Sequence, residues 1–504
     1  MYPRRVREST FIAVSLLTFI AVGLILILNH EIWRDEWQAW LIAKESSSLL
    51  NLWQNLRYEG HPGFWHLALY LLTRFTRQEL AMQLLHLLIA SATAFVFLKY
   101  APFTRLQKLL FIFGYFPLYE YAAISRNYAL GVFLIFLFCA LARARLRRKL
   151  LFLAVVLFLL SQTNIYGLII AMALGSTIFL AWLLKQNLAG MPPENPSDPV
   201  IGLFIFVGGI AVSLLQLIPP ADSGFVSGWN LQPSAEYLVY SGRSIWVSYM
   251  PIPEFSFHLW NTNIITDLNW QYRLSLVLLI ACLFLFLRRP AILWLYFSGT
   301  MGLLAFFYLK HPGFLRHHGH LFILLLGCLW LAQDLPETRP KLPLFDLVSK
   351  FCWDHRGTFL LGLLTAHLLA GLMAGGWDLL QPFSGSKEIA KFIKDSNYNK
   401  LVIVGDVDFA ASAVAGYLDR PIHYPASGKT GSFIVWDLDR RKLPPQEALQ
   451  KARELTMQLQ EPTLVLLNYR LPQESALRCL HQSPGSIEES ENFFLYLLEP
   501  QSSE

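Results

Sequence analysis

The sequence predicts a polytopic α-helical membrane protein of about eleven spans, followed by a small C-terminal extracytoplasmic α/β domain. Three observations lead there. The 504 residues are 54% hydrophobic and only 15% charged, where a soluble protein carries about a quarter charged residues, and the mean hydropathy is +0.41. Apolar runs recur along residues 1–380. After Trp377 the composition changes to alternating helical and strand-like patterns, which place a separate domain at 384–504.

The apolar runs lie at 11–28, 80–98, 108–122, 127–142, 150–162, 165–184, 200–218, 273–287, 291–309, 320–334 and 358–376. The first follows Arg4, Arg5 and Arg7, and no small-x-small cleavage site separates it from His30 and Glu31, so it is expected to be an uncleaved anchor. A shorter run, 62–73, is too short for the 17–25 residues of a span. Charge decides its path. Lys99, Arg105 and Lys108, then Arg143 to Lys149, then Arg288 and Arg289, then Arg339, Lys341, Lys350 and Arg356 all fall on one side only if 62–73 lies along the surface. By the positive-inside rule that side is the cytoplasm of a plasma or inner membrane, with the N-terminus. The C-terminal domain, a first external loop 30–79 and a long external loop 219–271 are then outside, with Arg74 and Arg77 as outer exceptions.

Other signals set bounds. The net charge of +6 is modest and its basic residues cap apolar runs, which argues against nucleic acid. Five cysteines without CxxC spacing indicate neither a zinc knuckle nor a disulfide scaffold. In the last domain, helical patterns are read at 387–395, 445–459 and 474–481, and strands at 401–405, 432–436, 463–467 and 493–498. Gly405 and Asp406 close a strand without a GxGxxG, so no dinucleotide site is expected there.

The same topology gathers the unusual polar residues on the outer face. Residues 31–66 hold the acidic pair Asp35 and Glu36, the knot Arg57, Glu59 and His61, and a row of tryptophans. Charge this close to hydrocarbon is costly and marks function. Asp35 is read as the carboxylate that takes a proton from a hydroxyl, with Glu36 orienting a partner, since neighbours on a helix point about 100° apart. Arg57, Glu59 and His61 either contact substrate or form a structural knot. Arg126, with Tyr128 at the outer end of a span, either clamps a phosphate or snorkels to the headgroups. The cationic cluster Lys310, Arg316, His317 and His318 suits a phosphate or lipid headgroup better than a metal, because Pro312 and Gly313 interrupt helical spacing. Asn164, between two spans, either lines a cavity or caps a helix break. A divalent metal, Mg or Mn, at the acidic pair is the one cofactor considered.

An acidic pair just after the first span, then GHP at 60–62, SRNYAL at 125–130, a polar break at Thr163 and RHHG at 316–319 resemble the GT-C glycosyltransferases. The likeness spans about residues 10–330 and is nearest the branch holding protein O-mannosyltransferases, lipid A aminoarabinose transferases and lipopolysaccharide-core transferases. It implies transfer of a sugar, hexosyl or mannosyl in type, from a polyprenyl-phosphate donor to a lipid, glycan or protein acceptor on the outer face. Asp35 and Glu36 would correspond to the acidic pair that supplies the base, and a non-crossing helix would follow Pro62. Two positions depart from the pattern: Gly63 replaces a second proline, and Asn164 stands where a histidine is common. The rival reading is a flippase or transporter of a polyprenyl-linked glycan, which would place ionisable residues near the midplane of several spans. Here they collect at one face.

Overall fold

The computed structural model describes residues 2–186, 195–471 and 477–500. The chain starts with α1 (Tyr2–Asn29), then three short helices, α2 (Arg34–Glu45), α3 (Leu49–Leu56) and α4 (Phe64–Thr73). At 1.5 Å per residue, α4 is about 15 Å long, half a hydrocarbon core, so it does not cross. A bundle follows: α5 (Leu80–Tyr100), α6 (Arg105–Ile112), a π-helical stretch Tyr115–Ala123, α7 (Tyr128–Arg143), α8 (Lys149–Ser161), α9 (Ile165–Leu183) and α10 (Asp198–Leu217). The long connection holds α11 (Ala235–Gly242) and α12 (Ser244–Tyr249), and α13 (Leu268–Phe286), α14 (Pro290–Leu309), α15 (Leu315–Leu331), α16 (Pro343–Asp354) and α17 (Arg356–Asp378) complete the bundle.

Among the described residues, eight helices are long and apolar enough to cross a membrane. The eleven runs read from the sequence are these eight together with α7, α8 and the broken α6–π segment. Every residue of α15 is buried, its apolar part from Leu321 to Leu331 packing on all sides and its polar first turns held by internal partners. It is the axis of the bundle, and its first turn carries Arg316.

The C-terminal unit has α18 (Ser386–Asp395), β1 (Val402–Asp406), α19 (Asp408–Leu418), β2 (Ile422–Tyr424), β3 (Lys429–Gly431), α20 (Pro445–Leu459), β4 (Thr463–Leu467), β5 (Arg478–Gln482) and β6 (Phe494–Leu498). The sheet order is β3-β2-β1-β4-β6-β5, with β1 parallel to β2 and β4 and the other pairings antiparallel. Two expectations fail here. Residues 432–436 form no strand, because the Gln38 side chain occupies both backbone groups of Ile434 (2.7 and 3.0 Å) and the Gly224 N–H takes the Trp436 carbonyl (2.9 Å). The helix expected at 474–481 is strand β5 from Arg478 onward, paired with β6; residues 472–476 lie outside the described residues.

The unit sits on α2. Gly416 touches Trp37 so closely that a Cβ there would lie 2.3 Å from the indole. Tyr417 meets Trp37 edge-on at 4.9 Å and accepts the Ile32 N–H at 2.7 Å, and Lys44 pairs with Asp419 at 2.6 Å. Trp37, Trp40 and Trp65 are buried in one core with Ala413 and Tyr417, while Trp33 is buried against Trp260 and Phe383 and Trp53 remains exposed.

Candidate active site

α2 begins where Trp33 is extended and Glu36 turns back to accept the Trp33 N–H at 3.3 Å, the return arm of a capping box. That arm fixes Glu36. Its carboxylate is wholly buried, accepts the Ser125 N–H at 2.6 Å and pairs with His30 at 3.1 Å; the other His30 nitrogen pairs with Asp378 at 2.8 Å. Burial opposes charge on His30, but the flanking Asp378 and Glu36 carboxylates win and hold its pKa well above 6.5. Glu36 therefore does not face a substrate. It joins α1, α2 and α17 to the residue preceding Arg126, which corrects its expected catalytic place.

Asp35, about 100° round the helix, faces three guanidiniums: Arg316 at 3.3 Å, Arg126 at 3.6 Å and Arg34 at 3.9 Å. Arg126 also donates to the Asp35 backbone carbonyl. Burial pushes the Asp35 pKa upward, yet Arg126, Arg316 and Arg34 together hold it below the ordinary carboxylate value. Trp33 and Trp260 lie 5.1 and 5.3 Å from the Arg316 guanidinium, in cation–π contact. The Nε–H groups of Arg126 and Arg316 are buried without an acceptor among the described residues. Arg34 is also matched by Glu488 at 3.4 Å and Glu491 at 3.5 Å, so Arg126 and Arg316 are the two guanidiniums whose ion pair is with Asp35 alone; each has an unused donor among the described residues, and together they form an anion site that Asp35 fills only in part.

The knot before α4 closes the other side. Gly60 has φ +66°, a left-handed turn that glycine adopts without strain, and it brings Glu59 and His61 toward Asp35. Burial pushes Glu59 up to about 7, against the Gln38 amide, which donates to it at 2.7 Å, and against Arg126. Burial and the Arg126 charge push His61 down to about 3, so its ring is neutral.

The other expected residues lie elsewhere. Arg57 is exposed at the end of α3 and does not pair with Glu59. Lys310 donates to the carbonyls of Phe225 (2.8 Å) and Ser227 (2.6 Å), tying down the long connection. His317 accepts the Phe314 N–H at 2.8 Å and shares a hydrogen bond with Tyr128 at 2.8 Å; His318 bonds the Pro312 carbonyl at 2.9 Å. His317 and His318 are thus engaged in internal packing, while Lys310 remains partly exposed and away from Asp35. Asn164 accepts the Gly167 N–H at 2.8 Å and caps α9. The residues that converge are Asp35, Arg126, Arg316, Glu59 and His61. Arg34, Gln38 and Trp260 join them, and no motif in the sequence marks these three as site residues. The acidic pair does not fit a divalent metal: Glu36 is taken by N–H donors, and three guanidiniums repel a cation at Asp35.

No family model and no curated protein sequence matches the chain. Among solved structures, ArnT from Cupriavidus metallidurans bound to undecaprenyl phosphate aligns over 97% of this chain and 97% of its own, with a TM-score of 0.51 and 10% identity. The apo state of the same protein aligns over 95% and 97%, with a TM-score of 0.48 and 12% identity. What is shared at such identity is the path of the chain, and this protein is an integral membrane protein with the fold of ArnT.

Proposed function

We propose that the protein is a membrane glycosyltransferase that moves a sugar from a polyprenyl-phosphate donor to an acceptor hydroxyl, with Asp35 as general base. ArnT, whose fold it shares, is a lipid A aminoarabinose transferase of the GT-C superfamily and holds undecaprenyl phosphate in its structure. The observation that carries the reading is the pair of guanidiniums, Arg126 and Arg316, that share Asp35, each with a buried Nε–H lacking an acceptor among the described residues.

The donor phosphate binds Arg126 and Arg316 in place of Asp35. Loss of those ion pairs raises the affinity of Asp35 for a proton. The acceptor oxygen attacks the anomeric carbon while Asp35 takes its proton; the bond from that carbon to the phosphate oxygen breaks. The polyprenyl phosphate leaves with its growing charge on the two guanidiniums.

The basic loops gather at the far end of the bundle, where Arg143 pairs with Asp334, Arg289 with Glu337 and Arg105 with Glu8. Under the positive-inside rule that end is cytoplasmic, which supports transfer on the outer face, with the C-terminal unit extracytoplasmic.

Protein reconstituted in nanodiscs should bind undecaprenyl phosphate. Asp35→Asn should retain the lipid and tighten it by about tenfold, or about 1.4 kcal/mol, since the guanidiniums lose their internal counter-ion. The same variant should lose sugar transfer. Full transfer by Asp35→Asn would sink the base assignment, and weaker lipid binding would move the phosphate elsewhere.

A further inference from the structure

The sheet of the C-terminal unit reverses its winding beside β1. The chain leaves β1 through α19 to reach β2 on one side, and arrives through α20 at β4 on the other, with all three strands parallel. Ligands of open α/β sheets bind in the crevice outside the carboxyl ends of strands at such a switch point. Here those ends are Asp406 and Leu467, followed by Asn468 and Tyr469, whose hydroxyl donates to Asp406 at 2.7 Å.

This edge adjoins the Asp35 cluster. Phe409, in the first turn of α19, lies 5.0 Å from the guanidinium of Arg34 and 5.8 Å from that of Arg440. Arg440 forks onto Asp408 at 2.6 and 2.7 Å and covers Trp436 at 4.5 Å. Arg34 in turn reaches Glu488 at 3.4 Å and Asp35 at 3.9 Å. Phe409, Trp436 and Arg440 are all partly exposed. The run from Asp35 to Trp436 alternates ring and fixed ion pair without a break.

We propose that this edge is the acceptor subsite and that its ligand is a carbohydrate. The role rests on the glycosyltransferase reading above, whereas the binding does not. A pyranose has an apolar C–H face and a rim of vicinal hydroxyls. Half-exposed aromatic rings match the first, and the Arg440–Asp408 fork together with the Arg34–Glu488 pair offers donors and acceptors to the second. An acyl chain needs a continuous apolar groove, and here a charged pair interrupts the rings at each step. A polypeptide adds to a free sheet edge, but β1 and β4 each have a neighbour on both sides. A bound sugar extending along Phe409 toward Arg34 would present a hydroxyl to Asp35, which takes its proton as the glycosidic bond forms.

The test uses full-length protein in lipid nanodiscs and saturation-transfer NMR with neutral trisaccharides of mannose, glucose, galactose and N-acetylglucosamine. At least one should bind, and Trp436→Leu and Arg440→Gln should each weaken it by tenfold or more. Undecaprenyl phosphate affinity, measured on the same samples, should stay unchanged, which also reports that the variants are folded. The proposal is overturned if no trisaccharide binds, if both variants bind as the parent does, or if only a Ser/Thr peptide or an acyl lipid binds. Failure of undecaprenyl phosphate to bind the parent protein would count against the donor reading alone and leave the carbohydrate result standing.

Discussion

At the scale of single residues, Glu59 and Glu491 are both pushed by burial to about 7, and of the two it is Glu59 that faces Arg126. Burial has moved it to about 7, so it is neutral below that pH and anionic above it. The anion sits close enough to Arg126 to compete with a donor phosphate for its charge. The donor KM should therefore rise by about threefold to tenfold between pH 6 and pH 8, and Glu59→Gln should flatten that rise. A profile unchanged by the substitution would place the titrating group elsewhere. Asp35, Arg126 and Arg316 could be brought together on paper because each stands in a segment that charge parity sends to the same face. The direction of Glu36 could not. Which of two adjacent acidic residues faces inward depends on His30 and Asp378, and the second of these lies 348 residues away from the first. His317 and His318 misled for a similar reason: a histidine beside an arginine reads as part of an anion site until the backbone carbonyl and phenol that engage it are known.

At the scale of elements, the decisive junction is α2 against α19. Gly416 is there because nothing larger fits over Trp37. Gly416→Val should destabilise the docking by about 1–3 kcal/mol through overpacking, and limited proteolysis should then release the C-terminal unit faster while the bundle stays intact. Equal protease resistance in the variant would show that the junction is not close-packed. The short helix α4 was legible because the run 62–73 is too short to span and the charge count fails if it does. The segment 432–436 was not. Its composition is that of a strand, but Gln38 supplies the hydrogen bonds that a neighbouring strand would have made, and no local pattern announces a side chain in that role.

At the scale of the whole molecule, sidedness is the property on which the proposed chemistry depends. With Cys352 and Cys479 replaced by serine, a cysteine at Phe75, which is 89% exposed, should react with an impermeant reagent from outside the cell. One at Phe103 should react only after permeabilisation. The reverse pattern would invert the topology and remove the outer-face assignment. The bundle was readable from apolar run lengths, since hydrocarbon thickness fixes them; the cover over the site was not, because it joins the two ends of the chain. The Arg34 N–H donates to Glu491, 457 residues later. During synthesis at about 5–20 residues per second, the first loop thus waits on the order of 20–90 s for its partner. Until then Trp37 lacks the Gly416 and Tyr417 cover that buries it, a nascent surface for chaperones or proteases to recognise, and Arg34 gains its Glu488 and Glu491 partners only as translation nears its last strand.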